Sequence, residues 1–147
     1  MRLRYAYIVK CTDVKRDASG QVIEVYCAYD PDSRGGDSKG RKVKGTIHWV
    51  SAAHAVDAEV RLYDTLFTVP KPDDAEDYAS VLNPTSLEVL TGAKVEPALA
   101  GVPPETHVQF ERTGYFVSDW RDHTPARPVF NRAVGLRDTW AKIESKG

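Results

Sequence analysis

The stretch that organises this chain is Gly40–Phe67, GRKVKGTIHWVSAAHAVDAEVRLYDTLF. In its first half apolar and polar residues alternate, and this period of two predicts a half-buried strand. One face of the predicted strand is apolar: Val43, Ile47 and Trp49. The other face is polar: Lys42, Lys44, Thr46 and His48. The polar stripe suits either contacts with phosphates or an ordinary solvated surface.

The second half of the stretch predicts a turn and then another strand. Ser51–Ala55, SAAHA, suits a short helical turn or a tight crossing, and residues 60–69 are the next strand candidate. His48 and His54 are six positions apart, and neither has an acidic residue or a cysteine at the spacing of a metal site. We therefore expect no metal site, and we expect His54 to be a hydrogen-bonded structural histidine.

Composition is that of an ordinary globular protein. The 147 residues suffice for one compact domain or two small barrels, and 41% of them are apolar and 28% charged. The net charge of −1 does not favour nucleic acid, so a binding face must come from local clustering. No apolar run approaches the roughly 20 residues that span a membrane. Arg2 and Arg4 interrupt the first apolar stretch, so we expect no signal peptide and a cytoplasmic location.

The N-terminal part of the chain predicts a β-hairpin. Residues 3–11 and 21–29 both alternate, and Asp17–Gly20 between them is a turn signal. Cys11 and Cys27 are then expected opposite each other on the inward face, as buried and reduced thiols. They are too few and too isolated for a zinc site or a disulfide scaffold.

The first residues of the chain support two further expectations. Arg2 and Arg4 share the outer face of the predicted hairpin, where arginines are usually solvated or paired with carboxylates. Met1 directly precedes what reads as the middle of a strand, so we expect the chain to be a piece of a longer protein.

The rest of the chain predicts short strands separated by loops rich in glycine and proline. The segments are a loop over 30–41, a short helix over 73–82, a hairpin around Thr91–Gly92, strands on either side of Thr113–Gly114, a strand Val129–Val134, and a helix or coil over 136–143. Within 106–118, Val108, Phe110 and Phe116 are the core candidates, and Gln109 and Glu111 lie on the opposite face. With roughly eight to ten β segments and little helix, the pattern predicts an all-β antiparallel barrel or sandwich.

Sequence motifs favour a binding module over an enzyme, since phosphate-binding glycine loops and a nucleophile elbow are both absent. The candidate ligand-facing groups are Arg2, Arg4, Lys42, Lys44, Gln109, Arg112, Arg132 and Arg137. Arginine and glutamine side chains read base edges, and the tyrosines and tryptophans supply stacking surfaces for single-stranded RNA. The same set also serves an ordinary protein surface, so RNA binding and a structural or interaction role both remain open.

Four segments together resemble the anticodon-binding region of glutaminyl-tRNA synthetases. They are Arg2–Cys11 (RLRYAYIVKC), Val43–Phe67, Val108–Asp119 (VQFERTGYFVSD) and Phe130–Lys142 (FNRAVGLRDTWAK). The resemblance implies two antiparallel β-barrels with one or two short helices: a distal barrel, mainly residues 1–100, and the C-terminal strands of a proximal barrel, 101–147. It also implies that Val43, Ile47 and Trp49 fill a barrel.

The resemblance further implies a parent activity that this chain does not perform alone. The parent enzymes join glutamine to tRNA(Gln) with ATP, and ATP binds in a catalytic domain whose HIGH-like and KMSKS-like signatures are missing here. We therefore expect no catalytic residue and no cofactor in this chain. Its expected partners are the anticodon loop of tRNA(Gln) and the catalytic domain of its own chain, in a monomer. The related glutamyl-tRNA synthetases are the near alternative.

The family's RNA-binding residues match individual positions of this chain. The pair that contacts the first anticodon base matches Arg2 and Arg4, and the glutamine and arginine that read the central uracil match Gln109 and Arg112. A basic residue near the backbone phosphates matches Arg137. The family's residues for the third base lie upstream of Met1.

Two details of this match can be tested in a structure. Many members have asparagine after the RLR motif, where this chain has Tyr5, which alternation places inward. On a regular strand Gln109 and Arg112 face opposite ways, so the strand has to bend or end between them if both approach one base. Lys42 and Lys44 are expected to contact the RNA backbone at most.

Overall fold

All regular structure in the described part of the protein consists of β-strands and short 3₁₀ turns. The computed structural model describes residues 1–36, 40 and 42–136. Its strands are β1 (Arg2–Leu3), β2 (Ile8–Arg16), β3 (Val22–Asp30), β4 (Thr46–Ile47), β5 (Val56–Tyr63), β6 (Leu87–Val95), β7 (His107–Phe110), β8 (Gly114–Ser118) and β9 (Val129–Gly135). The chain divides into two compact units, Met1–Trp49 and Val50–Gly147. The prediction of a mainly all-β protein is confirmed.

The first unit is built on the predicted hairpin. Its sheet has the order β3-β2-β1-β4, with β1 and β4 parallel and the other pairs antiparallel. The Asp17 carboxylate closes the hairpin turn, because it accepts hydrogen bonds from the backbone N–H of Ser19 and of Gln21 and from the Ser19 hydroxyl. These bonds, the one from the Ser19 side chain foremost, lower the pKa of Asp17. Gly20 completes the turn with a φ of 84°.

The predicted strand over residues 3–11 is interrupted by a loop. The Leu3 N–H donates to the Tyr7 carbonyl at 2.9 Å, and the Ala6 N–H donates to the Leu3 carbonyl at 3.0 Å. Between them Tyr5 has a φ of 57° and is 77% exposed. The prediction that Tyr5 points inward was therefore wrong, because alternation applies only to extended backbone and Tyr5 lies in a turn.

The two cysteines lie opposite each other as predicted, since Cys11 and Cys27 are register partners on β2 and β3. Their predicted burial was wrong, because both are exposed. The physical reason is the lack of a second layer: within the described residues of the first unit only Ser33 is fully buried. A hairpin without a covering layer in its own unit leaves both of its faces open.

The strand predicted over residues 43–49 is reduced to the two residues of β4. Ile47 and Trp49 are both exposed, so the expectation that they fill a barrel was wrong for the unit in which they lie. Val43 is half-buried. Gly45, with a φ of 110°, interrupts the regular alternation just before β4, which explains why the pattern did not extend along the whole segment.

The second unit contains a five-stranded sheet in the order β6-β5-β9-β8-β7. The β5–β9 pair is parallel and the remaining pairs are antiparallel. The sheet combines strands from both sides of residue 100. The assignment of 1–100 to a distal barrel and of 101–147 to a proximal barrel stays a prediction.

Aromatic packing dominates the core of the second unit. The buried residues of its main hydrophobic cluster are Ala58, Val60, Val95, Phe116 and Phe130. The ring of Phe110 stacks on that of Phe116 at a centroid distance of 4.3 Å and meets Phe130 edge-on at 5.3 Å. Burying one such side chain contributes about 1.5–3 kcal/mol. The core positions predicted at Val108, Phe110 and Phe116 are confirmed.

Several predicted elements of the second unit differ in the structure. Residues 87–95 form the single strand β6 where a hairpin was expected, because Gly92 keeps an extended backbone without a positive φ. The short helix expected over 73–82 is replaced by 3₁₀ turns at Pro72–Asp74 and Tyr78–Val81, the second capped by Asp77. The prolines and aspartates of this segment favour such short turns over a continuous helix. The helix or coil expected over 136–143 lies outside the described residues beyond Leu136.

The helical segments within residues 1–36, 40 and 42–136 are short 3₁₀ turns. None of the helical segments there has the length and apolar character needed to cross a bilayer.

Candidate nucleic-acid interface

Charge is distributed unevenly between the two units. Residues 1–49 contain ten lysines and arginines and six aspartates and glutamates, a formal net charge of +4. Residues 50–147 contain ten and fifteen, a formal net charge of −5. The near-neutral total therefore conceals a basic first unit, which is the local clustering that binding to a polyanion requires.

Arg2 lies on β1 between two neighbouring strands. Its backbone pairs with Ile8 on β2 and with Thr46 on β4, and its N–H donates to the Gly45 carbonyl at 3.0 Å. The side chain is half-buried, and among the described residues its Nε atom is buried without a hydrogen-bond partner. A buried donor without a partner is unusual, because burial without a hydrogen bond costs free energy.

Arg4 opens the four-residue loop that joins β1 to β2. Its guanidinium lies 4.7 Å from the centre of the Tyr5 ring and donates to the Tyr5 hydroxyl at 3.0 Å. The backbone is fixed from two directions, since the Arg4 N–H donates to Ile47 and the Arg4 carbonyl accepts from the Trp49 indole N–H, at 2.9 and 3.0 Å. The loop is thus held against the β4 segment.

The lysines of the opening stretch precede the short strand β4. Lys42, Lys44 and His48 are all exposed. Lys44 directly precedes Gly45, whose carbonyl accepts the Arg2 N–H. The polar stripe does not follow a regular strand face, because β4 contains only Thr46 and Ile47.

Gln109 and Arg112 lie on either side of a strand end. β7 ends at Phe110, and the Thr113 N–H donates to the Phe110 carbonyl at 2.9 Å to close a turn. Arg112 is the third residue of that turn and has a φ of 65°, which is the mark of type II geometry. Both side chains are exposed. The opposite-face argument does not apply to them, because the strand ends between them.

Gly114 explains why the chain turns at this point. A Cβ atom at Gly114 would lie 2.7 Å from the carbonyl oxygen of Val134, so only glycine allows β8 to begin this close to β9. The predicted bend at Thr113–Gly114 is confirmed.

The two arginine-bearing loops share one backbone design. In each, the carbonyl of the last strand residue accepts a hydrogen bond from the N–H three residues further on, and the third residue of the resulting turn has a positive φ: Tyr5 at 57° and Arg112 at 65°. Glycine or asparagine adopts this conformation at little cost, whereas long side chains rarely do. Strained residues of this kind concentrate at binding sites, which makes both loops candidates for ligand contact.

An ion-pair network that the sequence analysis missed lies in the second unit. Arg61 on β5 donates to Glu59 at 2.7 Å, to Asp119 at 3.2 Å and to Asp122 at 2.6 Å. Arg127 donates to the second oxygen of Glu59 at 2.8 Å. The partners are up to 68 residues apart in sequence, so no local pattern reveals them.

The network changes the pKa of its members. Hydrogen bonds from Arg127 and then from Arg61 lower the pKa of Glu59. Burial alone raises the pKa of Asp119, but hydrogen bonds, from Asn131 foremost, outweigh it and the net effect is a lowered pKa. The Asp122 carboxylate contributes most to raising the pKa of Arg61. All three groups are therefore charged at neutral pH, and the network fastens β5 to the loop after β8.

His54 and His123 both make hydrogen bonds within the fold. His54 is hydrogen-bonded through Nδ1 to the Ser51 hydroxyl at 2.9 Å, within the predicted SAAHA turn, so its expected structural role is confirmed. His123, which sequence reasoning did not single out, is 4% exposed. Its Nδ1 accepts from the Val129 N–H at 3.1 Å and its Nε2 lies 3.1 Å from the Val102 carbonyl, which fits a proton on Nε2. The described ranges contain no group of three or more potential metal ligands.

The two remaining arginines predicted from the sequence are Arg132 and Arg137. Arg132 donates to the Tyr63 carbonyl at 3.1 Å, so part of its guanidinium serves the fold of the second unit. Arg137 lies outside the described residues. The structure thus places Arg2 and Arg4 in the first unit and Gln109 and Arg112 in the second.

Fold and site together define an all-β binding module with arginine-bearing loops. A family model described as the anticodon-binding domain of class I tRNA synthetases (E and Q) matches residues 46–119. The chain belongs to this family.

Curated relatives match almost the entire chain. It is 58% identical over 148 residues to a glutamine–tRNA ligase of Nitrobacter hamburgensis, a match that covers 100% of this chain and 26% of that protein. It is 56% identical over 147 residues to one from Vibrio parahaemolyticus, covering 99% and 26%. The corresponding protein of Pseudomonas syringae pv. tomato is 52% identical over 143 residues, covering 95% and 25%. The chain therefore spans about a quarter of the length of these relatives.

Proposed function

We propose that this chain is the anticodon-recognition module of a glutamine–tRNA ligase. The observation that contributes most is the pair of strained loops with Arg4 beside one positive-φ residue and Arg112 at the other. Family membership and the names of the relatives supply the RNA class, and the +4 charge of residues 1–49 suits a polyanion.

Gln109 and Arg112 suit the reading of a uracil that has left the base stack. The edge of uracil presents one N–H donor between two carbonyl acceptors. A glutamine amide both accepts and donates, and an arginine fork donates only, so the two side chains complement this edge. Both are exposed at one end of the β7–β8 hairpin. Arg2 and Arg4 are proposed for the first anticodon base, and Lys42, Lys44 and Arg137 for backbone phosphates.

The activity of the longer protein follows as part of the proposal. The parent enzyme would join glutamine to tRNA(Gln) with ATP, and ATP would bind in a catalytic domain that these residues do not include. That domain is the second proposed partner. A cytoplasmic location and a monomeric state remain predictions.

A substitution at Arg112 tests base reading. In the full-length ligase, Arg112→Ala is expected to weaken binding of tRNA(Gln) by roughly 5- to 150-fold, the effect of about 1–3 kcal/mol for a lost base contact. It is also expected to relax discrimination between uracil and cytosine at the central anticodon position. Filter binding of the two tRNAs measures both effects.

Arg121→Ala is the matched control for this experiment. Arg121 is also exposed in the second unit, but its guanidinium stacks on Trp120 at 4.1 Å and no base contact is assigned to it. The Arg121→Ala variant should change the affinity for tRNA(Gln) by less than about twofold, because exposed charged groups contribute little. If Arg112→Ala keeps both affinity and discrimination, the assignment of Arg112 to base reading is wrong.

A structural or interaction role is the second candidate. It is favoured by the open apolar faces of the hairpin, where Ile23, Val25 and Tyr29 are all exposed. RNA binding that is absent, or that does not depend on salt, would favour this role over anticodon recognition.

A further inference from the structure

We propose that Tyr5 is a stacking platform for one base of the bound RNA, supported by Arg4 and Trp49. This inference rests on the proposed function and names a residue that the family match does not assign.

The first argument is the position of Tyr5 itself. Its φ of 57° lies in the left-handed region, where asparagine and glycine are favoured and a tyrosine is strained. The side chain is 77% exposed, so burial inside the first unit does not compensate for that strain. A strained backbone that presents an uncovered aromatic ring is the kind of outlier from which a binding role is inferred.

The second argument is the support from Arg4. The guanidinium lies over the ring at 4.7 Å and donates to the hydroxyl at 3.0 Å, so the orientation of the ring is set before any ligand arrives. The residue remains 77% exposed with the guanidinium in place, so we take the second face of the ring as the surface for the ligand. A base on that face would complete a layered arrangement of guanidinium, phenol and base.

The third argument is the second aromatic side chain held by the same loop. The Trp49 indole N–H donates to the Arg4 carbonyl at 3.0 Å, and the residue is still 44% exposed. Trp49 therefore fixes the loop backbone and also presents aromatic surface beside it. Preorganised aromatic groups lose little entropy when they bind a base.

Charge favours RNA as the partner over another protein. Arg2 lies on β1 directly before the loop, and Lys44 lies beside the carbonyl that accepts the Arg2 N–H. The unit as a whole has a formal net charge of +4. Splayed single-stranded bases with phosphates between them satisfy both the aromatic and the cationic groups.

The test uses the full-length ligase and anticodon stem-loops of tRNA(Gln) with 2-aminopurine at each loop position in turn. Stacking on an aromatic ring quenches 2-aminopurine fluorescence. We expect quenching at one position with the unchanged protein and with Tyr5→Phe. We expect Tyr5→Asn to abolish that quenching and to weaken binding of the unmodified stem-loop by roughly 5- to 150-fold, the range for one stacked base.

Tyr5→Asn is expected to affect RNA binding without lowering the stability of the fold. Asparagine suits a φ of 57° better than tyrosine does, so Tyr5→Asn is expected to fold at least as stably. Tyr26→Asn is the matched control, since Tyr26 is also exposed in the first unit but lies on β3 opposite Asp13, away from the loop. It should leave quenching and affinity unchanged.

The outcomes distinguish this inference from the proposed function. If the ligase binds the stem-loop with salt dependence and Tyr5→Asn keeps both quenching and affinity, the stacking role is wrong and anticodon recognition stands. If Tyr5→Asn weakens binding of the stem-loop but the 2-aminopurine fluorescence is still quenched, the stacking role is also wrong. If the unchanged protein binds no anticodon stem-loop, the proposed function is wrong and this inference is wrong with it.

Discussion

The two units of this protein are stabilised in different ways. The second unit, Val50–Gly147, has a core of stacked phenylalanines and a network of ion pairs around Arg61. In the first unit, Met1–Trp49, Ser33 is the one fully buried residue of those described, and the charge is +4. The difference suggests a division of labour in which packing lies in one unit and electrostatic attraction for RNA in the other. The following experiments test that division.

The largest effect is expected in the core of the second unit. Phe116 is 1% exposed, so Phe116→Ala should lower the free energy of unfolding by about 3–5 kcal/mol. Ile23→Ala on the open hairpin should lower it by less than about 1 kcal/mol, because Ile23 is 57% exposed. Urea unfolding followed by circular dichroism measures both. Equal losses for the two variants would contradict the comparison.

The next largest effect is expected in the ion-pair network. Arg61→Met leaves Glu59, Asp119 and Asp122 without their shared cation and should cost roughly 2–3 kcal/mol, less than for a fully buried pair because the network is partly exposed. Arg127→Met should cost under about 1 kcal/mol, since its side chain is 61% exposed. Thermal unfolding at pH 7 distinguishes them, and a larger loss for Arg127→Met would refute the assigned ranking.

Acid should destabilise the second unit through the same carboxylates. The pKa values of Glu59 and Asp119 are lowered from ordinary values of 4.5 and 3.8, so their contribution is present above those values. It is lost as the pH falls below them through the lowered folded-state pKa. The melting temperature, measured from pH 7 to pH 2, should decline in the acid range. Glu59→Gln should reduce that decline; an identical profile in the variant would exclude Glu59 as a cause.

The smallest effect is expected from a single lysine of the first unit. Lys44→Gln should weaken binding of RNA without regard to sequence and lower the slope of log K against log salt by roughly 0.7, the value for one phosphate contact on a single strand. Lys94→Gln is the control, since Lys94 belongs to the acidic unit and pairs with Asp57. A salt slope that changes equally in both variants would show that the attraction is not local to the first unit.

Sequence patterns predicted strands well where one face is covered. Around Phe116 the alternation, the turn and the core were all confirmed, because a packed layer enforces the period of two. Around Ile47 and Trp49 the same pattern led to a wrong prediction of burial. An apolar side chain gains free energy when it is buried, but it becomes buried only where a second layer of structure covers it.

At the candidate site, too, the sequence predicted which residues to consider but not their conformations or partners. Residue types and family resemblance selected Arg4 and Arg112, and their role in binding stays a prediction. The positive φ of Tyr5 and the three partners of Arg61 were not predictable, because a turn conformation depends on the strands that it joins and ion pairs depend on contacts between distant segments.

The sequence by itself determined the all-β class, the hairpin with its Asp17 turn, the bend before Gly114 and the family, since these depend on local chemistry and on motifs. Only the tertiary structure decided which apolar faces are covered, which arginines are paired within the fold, and that the charge is concentrated in one unit. Those properties arise from contacts between residues far apart in the chain, which no short segment encodes alone.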